Sequence, residues 1–141
     1  MKDKLFADTN VILHLLSQDT QKADQAEAVL NQGVIISVQV LNETTQVLRR
    51  KIKLSWPEIH TFLSLIKSLC SVQALTLETH TQGLKLAERY QLSVYDAMIV
   101  SAALLAECRV LYSEDMQHDL LVEGQLRICN PFLGEIRNLN A

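Results

Sequence analysis

Short apolar runs, several of them rich in β-branched residues, alternate along this chain with longer stretches in which apolar residues recur at helical spacing. The short runs are Leu5–Ala7, Val34–Ile36, Cys70–Leu75, Val110–Tyr112 and Leu126–Cys129. Strands separated by helices predict right-handed crossovers and a mostly parallel sheet. We therefore expect a three-layer α/β/α fold whose central sheet has about five strands.

Local signals predict where several helices begin and end. Ser55, Pro57 and Glu58 have the form of a capping box with Pro in the first turn. Ser93 is placed to cap a helix of about residues 94–107, and Gly33 is placed to end the helix that precedes it. Val11–Leu16 reads as a short helix directly after the first strand.

Length and composition limit the function classes. The 141 residues suit a single domain, 1–141, with its recognisable motifs between about residues 4 and 132. The net charge of −3 does not favour nucleic-acid binding, so such a role would need a local basic patch or metal ions. Three scattered cysteines predict free thiols, and no apolar run approaches the ~18 residues of a membrane span. We expect a cytoplasmic protein that does not associate with membranes.

Four acidic residues follow strands or begin helices. They are Asp8, Glu43, Asp96 and Asp115. In parallel sheets, ligands bind outside the carboxyl ends of the strands, so these four side chains can lie at one edge. Three of them also have a purely structural interpretation: Asp8 as a helix cap, Glu43 as a solvated helix residue, and Asp115 as the cap of a helix through Met116.

Asp96 is the hardest of the four to explain by structure alone. The helix that carries it is apolar all round, which predicts that it is buried. A carboxylate there loses several kcal/mol of hydration, of which the helix N-terminus returns about 0.3–1 kcal/mol. The part of this hydration cost that the helix does not return suggests a nearby cation. Mg²⁺ or Mn²⁺ would also relieve repulsion among the four acids, and an all-oxygen site of this kind suits phosphoryl chemistry.

The chain resembles a known family at four places, in the expected order. Residues 6–12, 40–43, 95–103 and 112–116 are similar to the motifs of PIN-domain ribonucleases, and the size is similar to that of VapC-type toxins from bacterial toxin–antitoxin pairs. The resemblance implies a PIN-like fold, Mg²⁺- or Mn²⁺-dependent cleavage of RNA by an activated water, and products with 5′-phosphate and 3′-hydroxyl ends. It also implies an antitoxin partner and a homodimer.

The resemblance assigns roles to individual residues. Asp8, Glu43, Asp96 and Asp115 would bind metal and carry catalysis, and Asn10 and Ser113 match small polar positions beside the metal. Glu114 immediately precedes Asp115, and the motif register favours Asp115 as the inward residue. Asp119 is a more distant candidate.

The remaining polar residues carry weaker signals. Arg49 and Arg50 belong to a basic cluster at residues 49–53, where they either stabilise a helix C-terminus or contact RNA. The four histidines lack metal-ligand spacing, so zinc is not expected, and His118 is expected to face solvent. Trp56 is expected to pack rather than to stack on a base.

Other function classes fit less well. A haloacid-dehalogenase-type phosphatase needs an acid at position 10, which is Asn. A receiver domain needs an acidic pair at the first strand, and the glycine-rich nucleotide loops are absent. The remaining alternative is a non-catalytic module that keeps the PIN fold and binds RNA or protein.

Overall fold

A computed structural model describes residues 3–133 of the chain. The ends of the expected 1–141 domain, residues 1–2 and 134–141, lie outside the described residues. The strands are β1 (Leu5–Ala7), β2 (Ile35–Ser37), β3 (Ser71–Gln73), β4 (Val110–Tyr112), β5 (Leu121–Val122) and β6 (Leu126–Cys129). The helices are α1 (Thr9–Leu13), α2 (Thr20–Asn31), α3 (Val38–Arg50), α4 (Trp56–Leu69), α5 (Leu77–Tyr90) and α6 (Val94–Leu105), with a 3₁₀ turn at His14–Leu16.

The strands form one sheet in the order β3-β2-β1-β4-β6-β5. All neighbours are parallel except β5 and β6, which pair as an antiparallel hairpin. The three-layer α/β/α fold is therefore confirmed. The expectation of about five strands is corrected to six, because β5 has only two residues and lacks a run long enough to read from sequence.

The helix boundaries follow the local chemistry of the sequence. Ser55 and Glu58 form the expected capping box, and Ser93 caps α6. Gly33 adopts a positive φ of 79° just after α2, a conformation that residues with a Cβ rarely adopt. The expected helix Val11–Leu16 is divided into α1 and the 3₁₀ turn.

The core lies between the sheet and the buried faces of the helices. Phe6, Ile36, Leu111 and Ile128 on neighbouring strands are fully buried. Helix α6 is buried from Ala97 to Leu104, as its all-round apolar sequence predicts. No helix among residues 3–133 is both long and apolar enough to cross a bilayer.

Candidate active site

The strand order places a crevice at one end of the sheet. The chain runs from β1 outward through β2 to β3, then returns to place β4 on the other side of β1. The carboxyl ends of β1 and β4 therefore flank the point where the order reverses, which is where open parallel sheets bind ligands. Asp8 follows β1 directly, and Ser113 follows β4 directly.

Asp8 is a buried carboxylate between these two strands, with 3% of its surface exposed. Its Oδ1 accepts a hydrogen bond from the Thr9 backbone N–H (2.6 Å), and its Oδ2 accepts one from the Ser113 hydroxyl (2.7 Å). Burial raises the pKa of Asp8 from 3.8 to about 7, although both hydrogen bonds act to lower it. The nearby charges of Asp96 and Glu43 make a smaller contribution to the same rise in pKa. Asp8 is therefore held in place but poorly stabilised as an anion.

Glu43 approaches from helix α3 and is tied to the same helix start as Asp8. Its Oε1 accepts a hydrogen bond from the Thr9 hydroxyl (3.0 Å), and its Oε2 accepts one from the Gln39 amide (3.0 Å). The Thr9 backbone N–H binds Asp8 while its side chain binds Glu43. Thr9 thus links the two carboxylates without neutralising either.

Asp96 lies in the first turn of α6, where its backbone N–H donates to the Ser93 hydroxyl (3.1 Å). Its side chain is half-buried. Burial raises the pKa of Asp96, and the charges of Glu43 and Asp115 raise it further. Among residues 3–133, no Lys, Arg or His forms an ion pair with Asp8, Glu43, Asp96 or Asp115. These four residues are called the acid cluster below.

Glu114 and Asp115 belong to different surroundings, although they are adjacent in the chain. Asp115 is exposed and acts electrostatically on Asp96. Glu114 is 2.8 Å from His14 Nε2 and 2.9 Å from Lys22 Nζ. Its backbone N–H donates to the Asn10 side-chain oxygen (3.2 Å). We call Glu114, His14 and Lys22 the Glu114 clamp.

The clamp also covers part of the C-terminal segment. The Phe132 ring packs edge-on against His14 at 4.5 Å between centroids, and Lys22 Nζ lies 5.7 Å from the same ring. Desolvation raises the pKa of Glu114, but the hydrogen bonds and charges of His14 and Lys22 outweigh it and leave the pKa below 4.5. Glu114 is therefore an anion that is stabilised by His14 and Lys22.

The structure shows the surroundings of three further residues from the sequence analysis: Asp115, Asp119 and His118. No helix forms around Met116, so the cap interpretation of Asp115 is wrong. Asp119 is mostly exposed, and its Oδ2 lies 3.6 Å from His118 Nε2, outside the acid cluster. His118 accepts a hydrogen bond from the Asn130 backbone N–H (2.9 Å) and remains partly exposed.

The basic residues Arg49 and Arg50 lie in the last turn of α3, about two turns beyond Glu43. Arg49 donates to the Leu54 carbonyl (3.1 Å), and its guanidinium lies 4.8 Å from the centroid of the Trp56 ring. Trp56 is half exposed rather than buried, and its ring lies beside the Arg49 guanidinium and 6.4 Å from the His60 ring centroid. Arg50 has no partner among the described residues.

The residues present suit a hard divalent cation. Within residues 3–133, no three His, Cys, Asp or Glu side chains converge into a ready-made metal site. The chemistry of the set nevertheless fits, because its donors are carboxylate oxygens and Asp8 is buried beside like charges without a cation. Mg²⁺ needs only one or two carboxylates and completes its shell with water and phosphate oxygens.

Several supporting residues escaped the sequence reasoning. Gln39 lies four residues before Glu43 on the same helix, and that spacing could have identified it. Thr9 is 34 residues before Glu43 in the chain, so no local signal could have paired them. His14 and Lys22 are 100 and 92 residues from Glu114 in the chain, so no local signal could have paired them.

The family is decided by comparison with known proteins. A family model described as the PIN domain matches residues 5–121. The chain belongs to the PIN domain family. This confirms the family that the four motifs suggested. No curated protein matches the chain.

Several solved structures share the fold at low sequence identity. One is a toxin–antitoxin complex from Klebsiella pneumoniae, with 20% identity, a TM-score of 0.67 and coverage of 92% of this chain and 98% of that one. A second is VapC20 from Mycobacterium tuberculosis, described as a toxin that cleaves the sarcin–ricin loop, with 18% identity, a TM-score of 0.66 and coverage of 79% and 90%. A third is FitAcB from Neisseria gonorrhoeae, with 13% identity, a TM-score of 0.64 and coverage of 92% and 99%.

Proposed function

We propose that this PIN domain protein is a metal-dependent endoribonuclease that hydrolyses RNA phosphodiester bonds in the cytoplasm. The observation that carries the proposal is Asp8, a buried carboxylate among like charges that no cation of the described chain neutralises. Such a site is unfavourable by itself and becomes favourable when a divalent cation binds. The PIN domain match and the similar fold of a toxin that cleaves RNA support the same assignment.

The side chains of the site have separate tasks in this proposal. Asp8, Glu43, Asp96 and Asp115 would hold Mg²⁺ or Mn²⁺. When bound, the metal supplies positive charge to the phosphate and lowers the pKa of an attacking water. Ser113 fixes one oxygen of Asp8, and Thr9 and Gln39 fix both oxygens of Glu43. These donors limit side-chain motion and keep the carboxylates in place for the ion.

Asn10 offers a further donor to the substrate side of the site. Its side-chain oxygen accepts from Glu114 N–H, which fixes the orientation of the amide. Its Nδ2 is buried and has no hydrogen-bond partner among the described residues. In the proposal, this N–H donates to a water or to a phosphate oxygen of the RNA, which removes the cost of leaving a buried donor unpaired.

A cleavage assay tests this function. Purified protein is mixed with end-labelled RNA in Mn²⁺, in Mg²⁺ and in EDTA, and the product ends are analysed. We expect cleavage only with metal, products with 5′-phosphate and 3′-hydroxyl ends, and loss of cleavage in Asp96→Asn. Asp24→Asn makes the same chemical change at an exposed site and should cleave normally. Equal cleavage by Asp96→Asn would overturn the proposal in favour of a non-catalytic PIN module.

We further propose that the protein is the toxin of a type II toxin–antitoxin pair and acts as a homodimer with a cognate antitoxin. The support is the shared fold with a toxin–antitoxin complex over nearly the whole chain. Expression of the wild type should arrest bacterial growth, whereas Asp8→Asn should not. Co-expression of the small protein encoded beside the gene should restore growth, and light scattering of the pure toxin measures the dimer. Arrest by Asp8→Asn would contradict the toxin assignment.

A further inference from the structure

An open groove lies beside the acid cluster, and most of its lining has no role in the proposed metal chemistry. Its volume is about 360 Å³, and it is lined by Gln39, Asn42, Glu43, Gln46 and Tyr95. The first four residues follow the spacing i, i+3, i+4 and i+7, which places them on one face of α3. Tyr95 faces them from the first turn of α6. The groove therefore contains one member of the acid cluster, Glu43, and the residue that precedes another, since Tyr95 comes directly before Asp96.

Tyr95 presents an aromatic ring to solvent at this position. Two-thirds (67%) of its surface is exposed, although a tyrosine normally buries most of its ring. No hydrogen-bond partner for its hydroxyl is found among residues 3–133. Such a ring offers a free face for stacking with another planar group.

Amide side chains stand beside the ring. Asn42 and Gln46 are exposed, and the described part of the chain supplies no partner for either amide. Gln39 is already bonded to Glu43, so it orients the acid rather than a ligand. Each free amide offers both donors and an acceptor, the combination that pairs with the edge of a nucleobase.

The charge of the groove favours a nucleobase over a phosphate group as its ligand. Its lining contains one charged residue, Glu43, and no cation. A phosphate group would be repelled there, whereas a neutral planar base would not. The groove therefore suits the base of a nucleotide whose phosphate lies at the neighbouring acid cluster.

We propose that this groove is a nucleobase subsite for single-stranded RNA, in which Tyr95 stacks on one base and Asn42 and Gln46 contact its edge. The inference rests on the proposed ribonuclease function and adds a specificity element to it. It also explains how an acidic protein can hold RNA, because stacking supplies affinity that a basic surface would otherwise provide.

A binding experiment without metal tests the subsite apart from catalysis. A short single-stranded RNA carries the fluorescent base 2-aminopurine at one position in turn and is titrated with Asp8→Asn protein in EDTA. We expect stacking to quench the fluorescence at one position. Tyr95→Ala in this background should abolish that quenching and weaken RNA binding by about ten-fold to a hundred-fold, whereas Tyr95→Phe should retain both. Leu77→Ala removes an exposed apolar side chain outside the groove and serves as the control.

Cleavage patterns supply the second readout. In the wild-type background, Tyr95→Ala and the pair Asn42→Ala with Gln46→Ala should raise KM more than they lower kcat and should broaden the base preference beside the cut. The rise in their Tm with Mn²⁺ should match that of the wild type. This control distinguishes loss of the subsite from damage to the adjacent residue Asp96.

The outcomes distinguish this inference from the proposed function. If the protein cleaves RNA but Tyr95→Ala has unchanged KM, base preference and quenching, the subsite is wrong and the nuclease stands. If 2-aminopurine is quenched through Tyr95 without any cleavage, the subsite stands and the nuclease is wrong. If Tyr95→Ala instead disrupts a dimer of this chain or binding of an arginine-bearing peptide, with RNA binding unchanged, the groove is a protein interface and the inference is overturned.

Discussion

The acid cluster and the Glu114 clamp are neighbours with opposite electrostatics. Asp8 is buried beside like charges, and its pKa is raised to about 7. Glu114 is one residue from Asp115, yet His14 and Lys22 surround its carboxylate and its pKa is lowered. One region destabilises its anions in the folded state, and the other stabilises its anion.

This difference indicates a structural role for the Glu114 clamp and a functional role for the acid cluster, although both lie at the same end of the sheet. The clamp has the partners that a carboxylate needs, so nothing about it requires a ligand. The hydrogen-bond donors to the acid cluster are neutral groups of Thr9, Ser93, Ser113 and Gln39, so its charge remains uncompensated. Clustered, uncompensated charge of this kind is typical of sites where a ligand supplies the missing partner.

The largest expected effect comes from removing the charge of Asp8. Its pKa rises from 3.8 in the unfolded chain to about 7 in the fold, so between these values the folded protein binds more protons and the free energy of unfolding falls as pH rises. Asp8→Asn abolishes this titration. At neutral pH without metal we expect the variant to be more stable by about 2–4 kcal/mol.

Urea unfolding in EDTA across this pH range measures the effect. The difference between Asp8→Asn and the wild type should shrink toward zero as the pH approaches 4. Asp24→Asn, at an exposed position, should show no pH-dependent difference. A constant difference at every pH would mean that altered capping of α1, and not the charge, changes the stability.

Metal binding should produce the next largest effect. A cation that binds only the folded protein stabilises it by about 2.7 kcal/mol at a concentration of about 100 times its Kd. We expect a rise of several degrees in Tm with Mn²⁺, and a similar rise with Mg²⁺ only at higher concentration, because Mg²⁺ is harder to dehydrate. Asp96→Asn should remove most of the shift.

The control for the metal effect is NaCl at matched ionic strength. Screening relieves only part of the repulsion in a half-buried cluster, so NaCl should shift Tm less than Mn²⁺ does. A wild-type melting curve that does not respond to Mn²⁺ would mean that the acid cluster binds no divalent cation, and the non-catalytic PIN module would then be the better assignment.

A smaller effect, of opposite sign, is expected at the clamp. Glu114→Gln removes a carboxylate that is stabilised in the fold, so at neutral pH it should lower the free energy of unfolding by about 0.5–1 kcal/mol. Because the folded pKa of Glu114 lies below 4.5, this contribution is present above that pH and is lost as the pH falls through the folded pKa. Chemical unfolding from neutral to acidic pH checks it, and a stabilised Glu114→Gln protein would contradict the comparison.

The sequence predicted the fold well because its signals are local. The apolar runs identify five strands, and Ser55 and Ser93 are the N-caps that mark the starts of α4 and α6. The hairpin strand Leu121–Val122 was missed because two residues cannot show a period. The prediction that the four acids lie at one edge rests on strand order, since parallel strands end together, and it stays a prediction.

The clamp and the groove could not be predicted, because they depend on tertiary contacts. Whether Glu114 or Asp115 faces the acid cluster is set by the bend after β4 and by His14 and Lys22, which are far away in the chain. Tyr95 appeared only as part of a motif. The exposure of its ring depends on how α3 packs against α6, which is a tertiary contact.

The smallest expected effects concern the cations at the far end of α3, and they test whether RNA affinity depends on charge at all. Helix α3 has 13 residues, and Arg50 lies in its last turn, about 10 Å along the helix axis beyond Glu43 of the acid cluster. Arg49 is engaged by Leu54 and Trp56, whereas Arg50 has no partner in the described chain. We therefore expect Arg50→Gln to weaken RNA binding a few-fold at low salt and to reduce the salt dependence of binding by about one phosphate contact, with kcat unchanged. Arg49→Gln should lower thermal stability slightly and leave RNA binding unchanged. Titrations of RNA binding at several salt concentrations distinguish the two variants.

Identical salt dependence of RNA binding in Arg50→Gln and the wild type would contradict an RNA contact by Arg50. The basic cluster would then only stabilise the helix C-terminus, and RNA affinity would have to come from metal binding and base stacking.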